Sequence, residues 1–246
     1  MSERIAVMGA GVMGSGIAQV MAIAGHEVAC RDLNVQAINV ARTAVDSGRF
    51  GIRSAVERGK LTAEQAAAAL DRITFTTDLE TAVDADIIIE AIPEDLALKI
   101  HFWRELDSMA PDHTIFASNS SGFSIAALGA AADRPDRMVG WHWASPAPVM
   151  KLAEIVRGPL TSSDTVDTVV RLAAAAGKNP VVVNDTDSAW GYVTNRVYFA
   201  MIREANRVVS EGIADRGQVD QLMMDCFRWP SGPFGMVTGA TSGWSQ

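Results

Sequence analysis

The sequence predicts an α/β protein in which a mostly parallel sheet with flanking helices is followed by a smaller, all-helical domain. Short apolar runs alternate with helix-periodic segments through most of the chain, which is typical of βαβ units. A glycine-rich turn joins the first apolar run to the first helical segment, and strand-like runs stop after Asn184. For 246 residues we therefore expect domains at 1–187 and 188–246, with the boundary near Asp185–Gly191.

Composition excludes several classes of protein. Apolar residues make up 48% and charged residues 20%, which argues against disorder, and a net charge of −8 without a basic tail argues against nucleic-acid binding. Two cysteines cannot build a disulfide framework. The start lacks the pattern of a signal peptide, and the most apolar stretch, Val12–Ala24, is too short to span a bilayer. We expect a cytoplasmic protein with no membrane or nucleic-acid partner.

The first half of the chain alternates strands and helices. The predicted strands are short apolar or β-rich runs: Arg4–Met8, His26–Asp32, Arg72–Asp78, Ala85–Ile92 and His113–Asn119. The predicted helices have apolar residues near one face or are rich in alanine, with Gly25 ending the first and Thr62 capping the third: Val12–Ala24, Asn34–Arg58, Leu61–Leu70 and Leu96–Met109.

The second half changes character along its length. Two strand-like runs, Met138–Trp143 and Leu152–Val156, flank the turn ASPAP. A helix, Ser163–Ala176, and a strand-like run, Pro180–Val183, complete the first domain. The remaining periodic segments, Tyr192–Ile213 and Arg216–Phe227, are predicted helices with no strand between them.

A GxGxxG motif at Gly9, Gly11 and Gly14 directly follows the first strand and opens the first helix. Gly9 is suited to the tight turn, Gly11 to close approach of a pyrophosphate, and Gly14 to close packing of the helix on the strand. The backbone N–H groups at the helix start, at Val12 and Met13, would face the phosphates. Alone the motif is also compatible with a simple tight turn.

Asp32 strengthens the dinucleotide interpretation because it ends the second strand, about 20 residues after the glycines, where an acid binds the ribose hydroxyls. Its carboxylate would repel a 2′-phosphate, so we expect NAD rather than NADP, although the adjacent Arg31 weakens that preference. The alternative role for Asp32 is a helix N-cap. We expect no metal.

His142 is the candidate acid–base residue among four histidines, since it ends a strand-like run just before the ASPAP turn. If the turn reverses the chain, Glu154 returns beside the imidazole and can fix its tautomer. A purely structural pair joining two strands is the alternative. We expect surface or capping roles for His26, His101 and His113.

Six ordered motifs carry a family resemblance: MGAGVMGSGIAQVMAIAGHEV, IIIEAIPEDLALK, TIFASNSS, GWHWASPAPVMKLAEIV, GYVTNRV and WPSGPF. From Arg4 to Phe234 the chain resembles the L-3-hydroxyacyl-CoA dehydrogenase family. The resemblance implies a Rossmann-type domain and a helical domain that forms a homodimer. It also implies oxidation of the 3-hydroxyl of a small-molecule acyl-CoA substrate, with NAD as the hydride acceptor.

The resemblance also implies roles for individual residues. His142 matches the catalytic base and Glu154 its carboxylate partner, while Ser121 and Asn195 match residues that bind the substrate oxygen. Glu94 and Lys99 match further cofactor contacts, in addition to the glycines and Asp32. Without the family, Ser121 is compatible with a turn and Asn195 with a helix cap.

The chain departs from the family pattern at several points. Ser145 stands where the family has an asparagine near the nicotinamide, so we count it as a cofactor-binding candidate. Trp141 and Trp143 replace smaller residues or phenylalanine, and we expect them to reshape the acyl pocket. The helix after Asp32 is expected to be one turn longer, through SGRFGIR.

Two further departures concern the CoA site and the chain end. Arg53, Arg58 and Lys60 stand near the lysine-rich stretch that binds CoA in the family, with a solvated helix face as the alternative. The family has more helices after Phe234, so we expect either a shortened member or a helical domain that is only partly in this chain. In both cases we expect its apolar faces to be covered in a homodimer.

Two other functions stay open from the sequence. One is a dehydrogenase of a free hydroxy acid, such as a sugar acid or a carnitine-like compound, which the tryptophans and the weak CoA patch favour. The other is a nucleotide-binding protein without turnover, which Ser145 and the short C-terminal region favour.

Overall fold

A computed structural model describes residues 2–186 and 190–242. The chain divides into two compact units, Met1–Trp190 and Gly191–Gln246. The predicted boundary between residues 187 and 188 and the chain end at 243–246 lie outside the described residues.

The first unit is built on an eight-stranded sheet with the order β3-β2-β1-β4-β5-β6-β7-β8. All neighbours are parallel except β6 and β7, so the predicted mostly parallel sheet is confirmed. The strands are β1 (Arg4–Met8), β2 (Glu27–Arg31), β3 (Ile73–Thr76), β4 (Ile87–Glu90), β5 (Ile115–Ser118), β6 (Met138–Trp143), β7 (Leu152–Arg157) and β8 (Asn179–Asn184).

Eight helices and one 3₁₀ turn, Pro135–Arg137, accompany the sheet within the described part of the first unit. The helices are α1 (Val12–Ile23), α2 (Val35–Ser47), α3 (Ile52–Glu57), α4 (Ala63–Asp71), α5 (Leu79–Val83), α6 (Leu96–Asp107), α7 (Ile125–Gly129) and α8 (Ser163–Ala175). The short helices α5 and α7 and the 3₁₀ turn were not predicted, since five residues are too few to establish a helical period.

The core lies on both faces of the sheet. All four residues of β4 are buried, as are those of β5, which is typical of parallel strands covered on both sides. Trp103 of α6 stacks on Phe116 of β5 with ring centroids 4.8 Å apart. This burial holds the carboxyl ends of the central strands in one rigid edge, where the candidate site lies.

The single long helix predicted over Asn34–Arg58 is wrong. The structure has two helices, α2 and α3, separated by the segment Gly48–Gly51, so SGRFGIR does not extend a helix. Gly48 adopts an extended conformation at the C-cap of α2, and a Cβ there would lie 2.5 Å from the carbonyl oxygen of Ala44. The break was not predicted because the alanine-rich composition favours helix on both sides of it.

His26 is also placed differently from the expectation. Its side chain is buried, and Nδ1 accepts a hydrogen bond of 3.1 Å from the backbone N–H of Glu3. Burial lowers the pKa of His26 below its ordinary value, which favours the neutral ring in the fold. His101 is exposed, and His113 contacts Asp86 at 3.3 Å near the surface.

The second unit contains three helices within its described residues: α9 (Val193–Ser210), α10 (Arg216–Phe227) and α11 (Pro233–Ser242). A capping box between Asp215 and Gln218 starts α10. The Asp220 carboxylate accepts hydrogen bonds from the backbone N–H groups of Phe234 and Gly235, which ties the start of α11 to α10. The all-helical character predicted after Asn184 is confirmed for these residues.

Candidate active site

The glycine-rich turn is held in a conformation that requires glycine at its first position. Gly9 follows β1 with a φ of +102°, and its N–H donates a 2.8 Å hydrogen bond to the carbonyl of Arg31 at the end of β2. A Cβ at this position would lie 2.5 Å from the carbonyl oxygen of Ala91. The turn is therefore fixed against both neighbouring strands, β2 and β4.

The next two glycines serve different purposes. A Cβ on Gly14 would lie 1.7 Å from the carbonyl oxygen of Gly9, so only glycine fits at this position in the first turn of α1. A Cβ on Gly11 would meet nothing within 4 Å, and Gly11 caps α1 without a side-chain hydrogen bond. Open space next to the uncapped N–H groups of Val12 and Met13 suits an incoming phosphate.

Asp32 lies beside this turn, just after β2. Its Oδ2 accepts a 2.8 Å hydrogen bond from the N–H of Ala10, and its Oδ1 accepts one of 3.1 Å from the N–H of Asn34. These two bonds orient the carboxylate at the carboxyl edge of the sheet. The turn, the helix start and the acid together fit a dinucleotide with two phosphates and a ribose.

His142 and Glu154 form a buried pair. They are direct partners in the antiparallel register of β6 and β7, and His142 Nδ1 lies 2.9 Å from Glu154 Oε2. Only 6% of His142 and 2% of Glu154 is exposed. The predicted chain reversal and contact are therefore present, and a carboxylate at Nδ1 favours the tautomer that carries its hydrogen there, with Nε2 as the basic nitrogen.

Trp141 and Trp143 do not flank a pocket together with His142, so the expected reshaping of the acyl pocket is wrong. Side chains alternate across a strand, so both indoles lie on the sheet face opposite His142. They are 0% and 3% exposed, with ring centroids 5.1 Å apart, and belong to the core that includes α1 and α8. Their size fills the core.

Glu94 is joined to the loop that follows β5. Its Oε1 accepts hydrogen bonds from the Ser120 hydroxyl at 2.5 Å and from the Ser121 backbone N–H at 2.9 Å. The Ser120 Oγ also accepts the N–H groups of Gly122 and Phe123. Ser121 and Glu94, which were predicted as separate site residues, are thus in contact. Ser120, which was not predicted, stabilises the loop through its hydroxyl.

Lys99 lies beneath this loop and is 1% exposed. Its Nζ contacts Glu90 Oε1, lies 3.2 Å from Glu94 Oε2 and donates to the carbonyl of Ile92 at 3.3 Å. Direct contact with a cofactor stays a prediction for Lys99, because its ammonium is surrounded by protein oxygens. Glu90 was missed, although its place inside the apolar run IIIE marked a buried charge.

Ser145 and Asn195 occupy loop-end and helix-start positions. Ser145 is half-buried and precedes Pro146 through a cis peptide bond. Asn195 is half-buried in the first turn of α9 and belongs to the second unit. The expected roles of Ser145 at the cofactor and of Asn195 at the substrate oxygen stay predictions.

Lys178 anchors the loop after β6. Its buried Nζ donates to the carbonyls of Ala147 at 2.6 Å and Met150 at 2.7 Å, and it lies 5.2 Å from the Trp143 ring centroid. Burial, with a smaller contribution from Lys151, lowers the pKa of Lys178 to about 8. This contact could not be predicted, since an isolated lysine after a helix is usually solvated.

This lysine makes stability depend on pH. Between the lowered pKa of about 8 and the ordinary value of 10.5, the folded state binds fewer protons than the unfolded chain, so the free energy of unfolding rises with pH. We expect wild type to gain stability relative to Lys178→Met between about pH 7 and about pH 10 in urea titrations. Exposed Lys60→Met is the control. A pH-independent difference between wild type and Lys178→Met would contradict this assignment.

A cleft of about 410 Å³ lies between α1, α3 and the 147–151 loop. Four cationic side chains are part of its lining: Arg58, Lys60, Lys151 and Lys178. Arg53 instead pairs with Asp46 at 2.7 Å on the surface. The cleft therefore contains Arg58 and Lys60, but not Arg53, of the three residues expected at a CoA site.

No helix in residues 2–186 and 190–242 combines the length and apolar character needed to cross a bilayer. Within the same residues, no group of three or more histidine, cysteine, aspartate or glutamate side chains is arranged to hold a metal ion.

Comparison with known proteins gives consistent matches. The family model described as 3-hydroxyacyl-CoA dehydrogenase, NAD binding domain, matches residues 4–186, and the model for the C-terminal domain matches residues 191–245. The chain is 41% identical over 235 residues to a probable 3-hydroxybutyryl-CoA dehydrogenase of Bacillus subtilis, which covers 96% of this chain and 80% of that protein.

Two further relatives agree. A 3-hydroxybutyryl-CoA dehydrogenase of Clostridioides difficile is 35% identical over 233 residues, covering 95% of this chain and 81% of that protein. The crystal structure of an (S)-3-hydroxybutyryl-CoA dehydrogenase of Ralstonia eutropha superposes with a TM-score of 0.89 at 35% identity, over 95% of this chain and 80% of that one.

Proposed function

The chain belongs to the 3-hydroxyacyl-CoA dehydrogenase family, and from that premise we propose that His142 and Glu154 carry its acid–base chemistry. The reaction is the NAD-dependent oxidation of the 3-hydroxyl of a 3-hydroxyacyl-CoA to the ketone, or its reverse. The observation that carries the assignment of residues is the buried 2.9 Å contact between His142 Nδ1 and Glu154 Oε2. This pair lies at the same edge of the sheet as the glycine turn and Asp32.

In this mechanism His142 accepts the hydroxyl proton at Nε2 as the substrate carbon is oxidised. Glu154 holds the ring in the required tautomer and stabilises the imidazolium that forms. Bound NAD would supply the acceptor for the hydride of C3. The Ser121 hydroxyl and the Asn195 amide donate hydrogen bonds to the substrate oxygen in the proposed complex. Glu94 supports Ser121 through its 2.9 Å contact with the backbone N–H.

Cofactor binding is assigned to the carboxyl edge of β1 and β2. Gly9, Gly11 and Gly14 shape the turn, the N–H groups of Val12 and Met13 receive the phosphates, and Asp32 binds the ribose. Glu94, Lys99, Ser121 and Ser145 are the proposed residues around the nicotinamide end. The cationic cleft with Arg58 and Lys60 is proposed to supply countercharge to the phosphates of CoA.

The second unit is proposed to form a homodimer. Its helices and connections expose large apolar side chains, among them Val197, Ile213, Leu222 and Phe227, each more than half exposed. Apolar side chains in such numbers on a small helical unit favour burial against a second copy. The cytoplasmic location stays a prediction.

One assay separates this function from its alternatives. NADH oxidation is measured with acetoacetyl-CoA and with free acetoacetate under identical conditions. We expect turnover of the thioester at a kcat/KM at least about 100-fold above that of the free acid. Turnover of the free acid alone would support a hydroxy-acid dehydrogenase, and tight NADH binding without turnover of either would support a non-catalytic protein.

The assigned role of Asp32 predicts a change in cofactor choice. Replacing Asp32 with alanine removes a charge-assisted hydrogen bond to the ribose, which is worth about 10- to 100-fold in affinity. NADH binding, measured by fluorescence titration, should weaken by that factor while NADPH binding changes much less. Because Asp32 also binds the N–H groups of Ala10 and Asn34, the melting temperature is measured as a control. Equal losses for both cofactors would contradict the specificity assignment.

A further inference from the structure

Glu90 is a fully buried charge outside the residues assigned so far. It is the last residue of β4, 0% exposed, and its partner Lys99 on α6 is 1% exposed. Removing two charges from water is unfavourable, and a well-packed apolar pair of the same volume is often equally stable or more stable. Stability alone therefore does not account for a charged pair at this position.

The contacts of Glu90 fix it from three directions. Oε1 contacts Lys99 Nζ and accepts the N–H of Ile92 at 3.0 Å, while Oε2 accepts the Ser118 hydroxyl at 2.7 Å. These partners come from α6, from the loop after β4 and from β5. Burial raises the pKa of Glu90, whereas Lys99 and Ser118 act in the opposite direction.

Lys99 connects Glu90 to the candidate active site. Its Nζ lies between Glu90 and Glu94, 3.2 Å from Glu94 Oε2. The other oxygen of Glu94 accepts the Ser120 hydroxyl and the Ser121 N–H. One connected network thus runs from the end of β4 to the backbone of the residue proposed to bind the substrate oxygen.

We propose that Glu90 is a positioning residue that fixes Lys99 between two carboxylates, and thereby sets the orientation of Glu94 and the net charge of this part of the site. The proposal deepens the proposed function, since it rests on the assignment of Glu94 to the nicotinamide end of the cofactor. Contacts with the Lys99 ammonium and the Ser118 hydroxyl favour the ionised form of Glu90. With Glu90 and Glu94 both ionised, two carboxylates and one ammonium leave one net negative charge. That charge favours the cationic nicotinamide of NAD⁺ over the neutral ring of NADH.

The test is Glu90→Gln, which keeps the size and an acceptor for Ile92 but removes the charge. Lys99 then neutralises Glu94, so the ratio of the NAD⁺ to the NADH dissociation constant should rise about three- to tenfold. The value of kcat with acetoacetyl-CoA should fall about tenfold. Glu105→Gln is the matched control, because Glu105 is an exposed carboxylate on α6, the helix that carries Lys99. This variant should change neither the ratio of dissociation constants nor kcat.

The double variant Glu90→Gln with Lys99→Gln separates charge from packing. It restores one net negative charge, so the ratio of dissociation constants should return to within about twofold of wild type, while kcat stays low because Glu94 loses its ammonium support. If Glu90→Gln alone does not fold, the ratio of dissociation constants and kcat of the double variant provide the test. Wild-type kcat in the double variant, or an unchanged ratio in a folded Glu90→Gln variant, would overturn the proposal.

Cofactor affinities are measured without substrate. Absence of acetoacetyl-CoA turnover in the wild type would therefore refute the proposed function, whereas an unchanged ratio of dissociation constants would refute the role of Glu90.

Discussion

Replacing His142 with alanine is expected to lower kcat for acetoacetyl-CoA reduction by on the order of 10²–10⁴ while leaving the NADH dissociation constant within about twofold of wild type. The imidazole is the group proposed to exchange a proton with the substrate oxygen, and the proposed cofactor site lies on other residues. Steady-state kinetics and fluorescence titration of the same preparation measure both quantities.

His101→Ala is the matched control because His101 is exposed on α6, and it should retain wild-type kcat. Glu154→Gln is expected to give an intermediate loss, since the amide keeps the size but not the charge that stabilises the imidazolium. Near-wild-type turnover by His142→Ala would remove His142 from the mechanism.

Replacing Gly14 with alanine is expected to abolish measurable NADH binding and to lower stability. The added Cβ would lie 1.7 Å from the carbonyl oxygen of Gly9, so α1 must shift away from the turn, at a cost of about 1–3 kcal/mol or more. Urea unfolding and NADH titration measure the two effects.

Gly11→Ala separates the cofactor effect from the stability effect. Its Cβ would meet nothing within 4 Å, so the free energy of unfolding should stay within about 0.5 kcal/mol of wild type, as for other open sites. The methyl group would still occupy space proposed for the pyrophosphate, so NADH affinity should fall about tenfold. Equal loss of stability in the two variants would contradict the different purposes assigned to Gly11 and Gly14.

The parts of the fold that follow local rules could be predicted from the sequence. The β1 strand, the glycine turn and Asp32 form within one βαβ unit, and their spacing alone indicates a dinucleotide site. The contact between His142 and Glu154 follows from the sequence only if the ASPAP segment reverses the chain, because the connection between β6 and β7, residues 144–151, does not by itself set the register of the two strands.

The parts that depend on tertiary packing could not be predicted. Lys99 and Lys178 are buried because carboxylate and carbonyl oxygens surround their ammonium groups. The run IIIE marks Glu90 as a buried charge, but a single sequence does not show which cation contacts it or which carbonyls Lys178 reaches. Trp141 and Trp143 were assigned to the acyl pocket because they flank His142 along the chain. Because successive side chains of a strand point to opposite faces of the sheet, both indoles instead lie on the face opposite His142.

Hydride transfer from C3 of the substrate, with His142 as the base, is tested with 3-hydroxybutyryl-CoA carrying deuterium at C3, incubated with NAD⁺ and the wild-type protein. The NADH formed is expected to carry one deuterium by mass spectrometry, with acetoacetyl-CoA as the other product. His142→Ala is expected to form both at a rate lower by on the order of 10²–10⁴. Unlabelled NADH, no acetoacetyl-CoA, or an undiminished rate in the variant would contradict this mechanism.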